Sequence, residues 1–320
     1  MDKKDYKILN ELVINSRIPI AKLARKAGLS REVASYRLNN LIKEKVVLGF
    51  YAVIDTEALG FSRYTCFLQL KNVNKEKENW FVGYLVNHDF VTYLGTAIGK
   101  WNIVFDLLAR NLNHLEEINK EIIGKINDYL ESYSVISIGS EQEYFPTKIL
   151  GIKKELKYKK PEKTDVDKID IKILELMAKD SRIEYKEISK ELNLTGNAIK
   201  YRINNLEKSG IIKGYSIAID IRKFNYEWNN LQIKVSLNKK ESELKSFLRE
   251  HKSVIYFYKY LGNENWDIDI GVIAKNSLEL REFILELREK FGDIVKIHDI
   301  YIVDEELKGN YAPAGIFKNS

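Results

Sequence analysis

The pattern of apolar and polar positions along the chain predicts the same helix twice. Residues 29–49 (LSREVASYRLNNLIKEKVVLG) and 194–214 (LTGNAIKYRINNLEKSGIIKG) share one organisation. In each, a hydroxyl residue at a helix N-cap position precedes apolar residues at steps of three and four, which predicts a helix with one buried face. The N-caps are Ser30 and Thr195, and the buried series are Ala34, Leu38 and Leu41, and Ile199, Ile203 and Leu206.

A shorter helix is predicted before each of these, at residues 20–27 and 185–192. Gly28 and Asn193 stand between the two helices, and both residue types tolerate the left-handed conformation that lets one helix stop and another begin at a steep angle. The pattern therefore predicts a helix-turn-helix, whose second helix fits the DNA major groove. Strand-like stretches at residues 46–54 and 211–219 follow it, as a wing would.

The rest of each half predicts a ferredoxin-like βαββαβ domain, an antiparallel sheet with both helices on one face. Strand and helix patterns follow one another at 62–71, 75–87, 91–98, 101–109, 112–130 and 133–138, and again at 230–237, 241–251, 254–261, 266–274, 277–291 and 294–303. The predicted fold class is α+β, with two copies of a winged helix-turn-helix domain followed by a ferredoxin-like domain.

The repetition indicates a duplication of the whole unit. Residues 5–61 and 170–226 align without a gap, at an offset of 165, with 17 identities in 57 positions. The linker is expected to be extended and solvated, and the tail poorly ordered unless Tyr311 or Phe317 docks. The predicted domains are winged helix-turn-helix domains at 1–54 and 168–219, ferredoxin-like domains at 55–146 and 220–308, a lysine-rich linker at 147–167 and a tail at 309–320.

Composition narrows the class of protein. The 320 residues are 45% hydrophobic and 31% charged, which is typical of several globular domains. A charged amino terminus and the lack of an apolar run of about 20 residues predict a cytoplasmic protein. One cysteine, and four histidines without metal-ligand spacing, predict no metal site, and no motif indicates a cofactor.

Positive charge is concentrated in the first helix-turn-helix. Residues 1–50 contain 11 Lys plus Arg against 5 Asp plus Glu, a net charge of +6, whereas residues 165–214 contain 10 against 9, a net charge of +1. The first copy is therefore predicted to bind phosphate more strongly, while the second binds it weakly or serves another purpose.

Particular residues give the helix-turn-helix a specific resemblance. Those of the first copy are Asp5, Lys7-Ile8-Leu9, Ser16-Arg17, Leu29-Ser30, Tyr36-Arg37, Leu41 and Gly49, and the second copy has matching residues from Asp170 to Gly214. This pattern resembles the amino-terminal domain of the Lrp/AsnC (feast/famine) transcription regulators. The resemblance implies that both ferredoxin-like domains are regulator of amino-acid metabolism (RAM) domains.

The exposed faces of the two long helices carry the predicted DNA-binding residues. Arg37 and Arg202 occupy the position of the family's near-invariant arginine, for which a phosphate contact and an intramolecular salt bridge both remain open. The full set is Arg31, Ser35, Tyr36, Arg37 and Asn39 in the first copy, and Asn197, Lys200, Tyr201, Arg202 and Asn204 in the second.

The resemblance also implies an effector site in each RAM domain. The family's signature, a glycine and a short loop that ends in aspartate, corresponds to Gly99 and Asn102 in the first copy and to Gly262 and Asp267 in the second. The first copy has lost the carboxylate and the second has two extra residues. These four residues are the candidate effector-binding residues, and the departures argue against a standard amino-acid pocket.

Two units in one chain are expected to form a single-chain pseudo-dimer. Members of the family pair their RAM sheets in a dimer, and a linker lets two copies in one chain satisfy that pairing internally. Further homo-oligomerisation is left open. The two heads differ, because Arg31-Glu32 in the first corresponds to Gly196-Asn197 in the second. An asymmetric operator on double-stranded DNA is therefore expected.

Three functions are weighed. The leading one is a DNA-binding transcriptional regulator whose RAM domains sense an amino acid or another small metabolite. The second is a metabolite sensor or partner-binding protein that has lost DNA binding in one or both halves. The third is an enzyme similar to the siroheme decarboxylases, which carry histidine and arginine in the stretch that corresponds to residues 91–105 and 254–270. Neither stretch contains those residues here, so we expect no enzymatic activity.

Overall fold

The computed structural model describes residues 1–152, 161, 165–236, 240–309 and 312–318. These residues form two compact units, and each unit takes segments from both copies of the repeat. The first contains both helix-turn-helix domains and the tail, and the second contains both ferredoxin-like domains. Among the described residues, no helix is long and apolar enough to cross a membrane.

The order of elements repeats along the chain, as predicted. The first copy contains α1 (Lys3–Ile14), α2 (Ile20–Ala27), α3 (Arg31–Lys43), β1 (Val47–Ile54), β2 (Ser62–Leu70), α4 (Lys75–Asn87), β3 (Val91–Ile98), β4 (Ile103–Ala109), α5 (Leu112–Ile126) and β5 (Leu130–Tyr144). The second contains α6 (Lys168–Lys179), α7 (Tyr185–Leu192), α8 (Gly196–Lys208), β6 (Ile212–Ile219), β7 (Glu227–Val235), α9 (Glu241–Glu250), β8 (Val254–Leu261), β9 (Ile268–Ala274), α10 (Ser277–Phe291) and β10 (Val295–Gly309), before the short α11 (Gly315–Lys318).

Local sequence explains where the helix-turn-helix elements begin and end. The Ser30 hydroxyl accepts a hydrogen bond from the Val33 N–H and caps α3, and Thr195 caps α8 in the same way. Gly28 and Asn193 have φ angles of 66° and 52°, in the left-handed region that separates the short helix from the long one. The predicted helix-turn-helix is confirmed in both copies.

The two helix-turn-helix domains are joined directly in the first unit. The predicted wings are single strands, β1 and β6, which pair with each other in an antiparallel two-stranded sheet. Next to this sheet the buried hydroxyls of Ser16 and Ser181 lie 2.7 Å apart. Arg182 donates to the Ser16 carbonyl at 2.6 Å, and Arg17 donates reciprocally to the carbonyls of Ser181 and Ile183. The two helix-turn-helix domains are thus paired within one chain.

The second unit is built around one closed sheet of eight strands. Their order is β10-β3-β4-β2-β5-β8-β9-β7, and β7 pairs with β10 to complete the ring. Within each copy the four strands have the ferredoxin-like order, and the helices of the first copy cover one face. Phe81 and Leu85 of α4 and Ile118 and Ile122 of α5 form that core with the strands. The predicted α+β fold class is confirmed.

The last strand of each ferredoxin-like domain is longer than predicted. The sequence pattern predicted strands at 133–138 and 294–303, whereas β5 and β10 each have 15 residues. Their additional residues pair with the other copy, for example Gln142 with Tyr258 and Lys308 with Leu94. Because this pairing is between copies, the alternation within one copy does not reveal it.

The linker prediction is wrong at its amino-terminal end. Residues 146–150 form a 3₁₀ helix in which Thr147, Ile149 and Leu150 are buried, since the apolar side chains pack on the second unit. The remaining linker residues, apart from 151, 152, 161 and 165–167, lie outside the described residues.

Residues 312–318 of the tail pack against the first unit, as expected if Phe317 docks. Ala312 and Ile316 are buried, Phe317 is half-buried, and α11 packs against α6. Tyr311, the other residue expected to dock, lies outside the described residues.

The interior of the closed sheet is aromatic and polar. Phe67 contacts a group of rings from both copies, namely Trp101, Tyr260, Trp266 and Tyr301. Buried Asp269 accepts a hydrogen bond from the Tyr301 hydroxyl at 2.9 Å. Burial, opposed in part by that hydrogen bond, raises the pKa of Asp269 to about 7. The closed sheet therefore encloses a carboxyl group that is half neutral near pH 7.

This pKa predicts a pH-dependent stability. The pKa of an unfolded aspartate is about 3.9, and a carboxyl with a higher pKa in the folded state favours folding while it is protonated. The folded state therefore loses stability as pH rises from the unfolded pKa to the folded pKa. Asp269→Asn removes the charge and keeps an acceptor for Tyr301. Its free energy of unfolding relative to the parent is expected to increase by about 2 kcal/mol between about pH 5 and pH 8. Urea unfolding across that range measures it, and a difference that does not change with pH would contradict the prediction.

Candidate nucleic-acid interface

The predicted recognition helix of the first copy, α3, presents its polar side away from the core. Ala34, Leu38 and Leu41 are buried, and this orients the opposite side outward. Tyr36 is 67% exposed, Arg31 and Asn39 are exposed, and Ser35 is half-buried. The helix thus offers a guanidinium, a phenol and an amide, groups that donate hydrogen bonds to phosphates and base edges.

Helix α8 presents the corresponding surface of the second copy. Tyr201 is also 67% exposed, Asn197 and Lys200 are exposed, and Asn204 is half-buried. Lys200 stands where the first copy has Ser35, and Gly196 replaces Arg31. The geometry of the helix is repeated together with its Tyr, Arg and Asn, but the side chains at the positions of Arg31 and Ser35 are different.

Arg37 forms an intramolecular ion pair. Its Nη1 atom lies 2.8 Å from an Asp2 oxygen and 2.9 Å from an Asp5 oxygen, and it joins α3 to the amino terminus of α1. The pKa of Asp2 is lowered first by the Asp5 backbone N–H and then by Arg37. Arg202 makes the same two contacts with Asp167 and Asp170. Of the two alternatives left open by the sequence, the structure contains the salt bridge.

Most of the charge difference between the heads lies in the supporting helices. Helix α2 (IAKLARKA) carries three cations and no acid, whereas α7 (YKEISKEL) carries two lysines and two glutamates. Helices α3 and α8 both have a net charge of +2, from three cations and one acid each. Lys22 and Arg25 of α2 are thus candidate phosphate contacts that the sequence reasoning missed, although a charge count for each helix would have found them. Lys26 forms an ion pair with Glu11 at 2.6 Å.

The candidate effector residues support the loop between the strands. The Asn102 side-chain oxygen accepts the Leu70 N–H at 2.6 Å, and an Asp267 oxygen accepts the N–H of Val235, the equivalent residue, at 2.8 Å. The other Asp267 oxygen lies 3.0 Å from Lys234 Nζ. The Asn102 amide therefore accepts the same backbone hydrogen bond in the first copy that the Asp267 carboxylate accepts in the second. An effector role for either residue stays a prediction.

The glycines of the same loops have backbone conformations that favour glycine. Gly99 and Gly262 have φ angles of 136° and 80°. A Cβ atom at Gly99 would lie 3.1 Å from the Ile300 carbonyl oxygen, so the strand of the other copy also limits this position. These contacts explain the two glycines structurally, and their binding of an effector likewise stays a prediction.

Sequence comparisons identify both heads. The AsnC-type helix-turn-helix domain family matches residues 1–42, and a winged helix-turn-helix DNA-binding family matches residues 166–213. An uncharacterised HTH-type transcriptional regulator of Pyrococcus abyssi is 34% identical over 121 residues, which are 37% of this chain and 80% of the relative. The regulator LrpB of Bacillus subtilis is 27% identical over 146 residues, 46% of this chain and 93% of its own.

One solved structure has the fold of the whole chain. The siroheme decarboxylase NirDL superposes with a TM-score of 0.67 over 99% of this chain and 96% of its own, at 14% identity. At that identity the likeness shows the fold alone. Together with the two heads, it defines a helix-turn-helix protein in which two units share one chain. By its relatives, the chain belongs to the Lrp/AsnC family of HTH-type transcriptional regulators.

The contacts of Arg37 separate its structural role from a role on DNA. Arg37→Ala is expected to lower the midpoint of thermal unfolding, because α3 loses its ion pairs with α1. The slope of log K for DNA binding against log salt is expected to stay unchanged, since the side chain is engaged within the protein. A slope smaller by about 1 would instead show that Arg37 contacts a phosphate.

Proposed function

We propose that this regulator binds DNA sequence-specifically as a single-chain pseudo-dimer and reads an asymmetric site with two unlike heads. The observation that carries the proposal is the direct joining of the two helix-turn-helix domains through β1 and β6. That sheet connects the two domains within a single unit, while Arg31 and Ser35 of α3 are replaced by Gly196 and Lys200 in α8. Two joined heads with different reading surfaces favour two different half-sites over a palindrome.

The first head supplies most of the affinity in this proposal. Arg31 is exposed at the start of α3, and the three cations of α2 belong to the same helix-turn-helix. Release of counterions by such groups gives a binding constant that falls steeply with salt, and base contacts from α3 add selectivity. The second head has Lys200 on α8 but a neutral α7, and so adds less.

The RAM domains sense a small metabolite in the same proposal. The family resemblance supports an amino acid, but Asn102 in the first copy and the longer loop in the second support a ligand other than a standard amino acid. Binding of such a ligand would shift the protein between states of different DNA affinity only if it binds one state more tightly than the other.

NirDL, which shares the fold of the whole chain, is a siroheme decarboxylase, and an enzyme of that kind is the more distant alternative. Against it, β3 and β4 with their loop, and β8 and β9 with theirs, lack the histidine and arginine of the decarboxylase pattern. We therefore retain the regulator as the proposed function. A metabolite sensor without DNA binding is the remaining alternative, and the near-neutral second head supports it.

A genomic binding selection tests the proposal. Purified protein is incubated with its own fragmented genome at low and at roughly physiological salt, and the retained fragments are sequenced. Discrete sites that share a motif with two unlike halves are expected. Retention without enrichment would indicate a nonspecific DNA binder, and no retention at either salt would favour the sensor.

Single variants then test the inequality of the heads on one enriched site. Arg31→Ala is expected to weaken binding about tenfold, because it removes a charged donor from the dominant head, and Lys200→Ala is expected to weaken it less. Lys120→Ala is the matched control, since this exposed lysine lies on α5 in the other unit. Equal losses from the first two variants would contradict the dominance of the first head.

A further inference from the structure

The first ferredoxin-like domain has an open groove of about 760 Å³ between α4, α5 and the start of β3. Aromatic rings form a nearly continuous wall along it. Ring centroids are 6.4 Å apart for Trp80 and Tyr84, 5.8 Å for Tyr84 and His88, and 4.6 Å for Phe90 and His114. Trp80 is 47% exposed, and Lys77 Nζ lies 3.9 Å from the centre of its ring, so the ring already attracts an ammonium group of the protein. The groove lies apart from the four candidate effector residues.

The opposite wall of the groove is acidic. Glu117 and Glu121 of α5 line it, and the Tyr84 hydroxyl donates to a Glu121 oxygen at 2.6 Å. Burial lowers the pKa of His88, so that this ring is neutral at pH 7 and adds no positive charge. Aromatic faces attract cations through their negative quadrupole, and carboxylates attract them through charge. The two walls therefore favour the same kind of ligand.

In the second ferredoxin-like domain a side chain fills the place that corresponds to the groove. Phe283 replaces Ile118, and its ring lies 6.2 Å from that of Phe247 and 4.9 Å from that of His251. Phe247 and His251 correspond to Tyr84 and His88 of the first copy. The Phe283 ring thus lies at the position of Ile118, the residue that borders the open groove in the first copy.

An ammonium group of the protein itself lies at this place in the second copy. Lys290 Nζ is 4.9 Å from the centre of the Phe247 ring and 2.8 Å from a Glu286 oxygen. Glu286 and Lys290 correspond to Glu121 and Lys125. In the first copy Lys125 Nζ is 5.8 Å from the Tyr84 ring, and Glu121 accepts the Tyr84 hydroxyl instead.

We propose that the groove of the first ferredoxin-like domain binds a small organic ammonium ion against the rings of Trp80 and Tyr84 and the carboxylates of Glu117 and Glu121. The cation of the ligand takes the ring faces that Lys77 and Lys125 approach in the structure. It carries no carboxylate of its own, because the two glutamates would repel one. This site is separate from DNA binding and does not depend on the proposed operator.

Choline and its neutral carbon isostere 3,3-dimethyl-1-butanol test the proposal on the full chain. The two molecules have nearly the same shape and differ in charge. Isothermal titration calorimetry is expected to show choline binding about tenfold more tightly than the alcohol. Absence of choline binding up to the millimolar range, or equal binding of the alcohol, would overturn the proposal.

Three variants locate the binding. Ile118→Phe reproduces the ring that fills the second groove, and Glu121→Gln removes one charge without changing shape; both are expected to weaken choline binding at least about fivefold. Glu286→Gln, the matched change in the filled second domain, is expected to leave it unchanged. Thermal unfolding confirms that each variant is folded. Equal choline affinity in all three variants would place the ligand elsewhere and overturn the assignment.

Discussion

Closure of the eight-stranded sheet is the constraint on which the second unit depends. A ferredoxin-like sheet has two edges, and the unpaired N–H and C=O groups of an edge favour association with other strands. Here β5 of the first copy pairs with β8 of the second, and β10 pairs with β3. Each copy therefore satisfies the edges of the other. The same closure brings both sets of interior side chains together and buries Asp269 among tyrosines and tryptophans.

The first unit applies the same physical solution on a smaller scale. Strands β1 and β6 would each be a single exposed strand, and they satisfy their backbone groups by pairing with one another. Arg17 and Arg182 support the junction by donating to carbonyls of the opposite copy, and rings of Tyr185 and Phe50 lie beside their guanidinium groups. Both arginines belong to the residue pattern by which the chain resembles the family. Their side chains do not face outward, and their contacts hold the two heads together.

Patterns among neighbouring residues predicted most of the fold. The features that they did not predict depend on contacts between the two copies. The caps at Ser30 and Thr195 and the periodicity of α4 and α10 depend on neighbouring residues, so one sequence suffices to predict them. The extra length of β5 and β10 depends on a partner more than a hundred residues away. For the candidate site, the exposed faces of α3 and α8 were predictable from periodicity. The partner of Arg37 was not, because Asp2 and a phosphate are equally suitable anions.

Duplication within one chain also explains why the halves have diverged. In a homodimer every substitution appears on both sides of the interface, whereas here each copy changes alone. The supporting helix of the first head is cationic and that of the second is neutral. One ferredoxin-like domain keeps an open groove at Ile118, while the other fills the equivalent place with Phe283. Pairing of the copies depends on the strand edges and, between the heads, on the serine hydroxyls and on Arg17 and Arg182. Surfaces away from these junctions are free to specialise, and an unequal reading of DNA follows from the same freedom as an unequal groove.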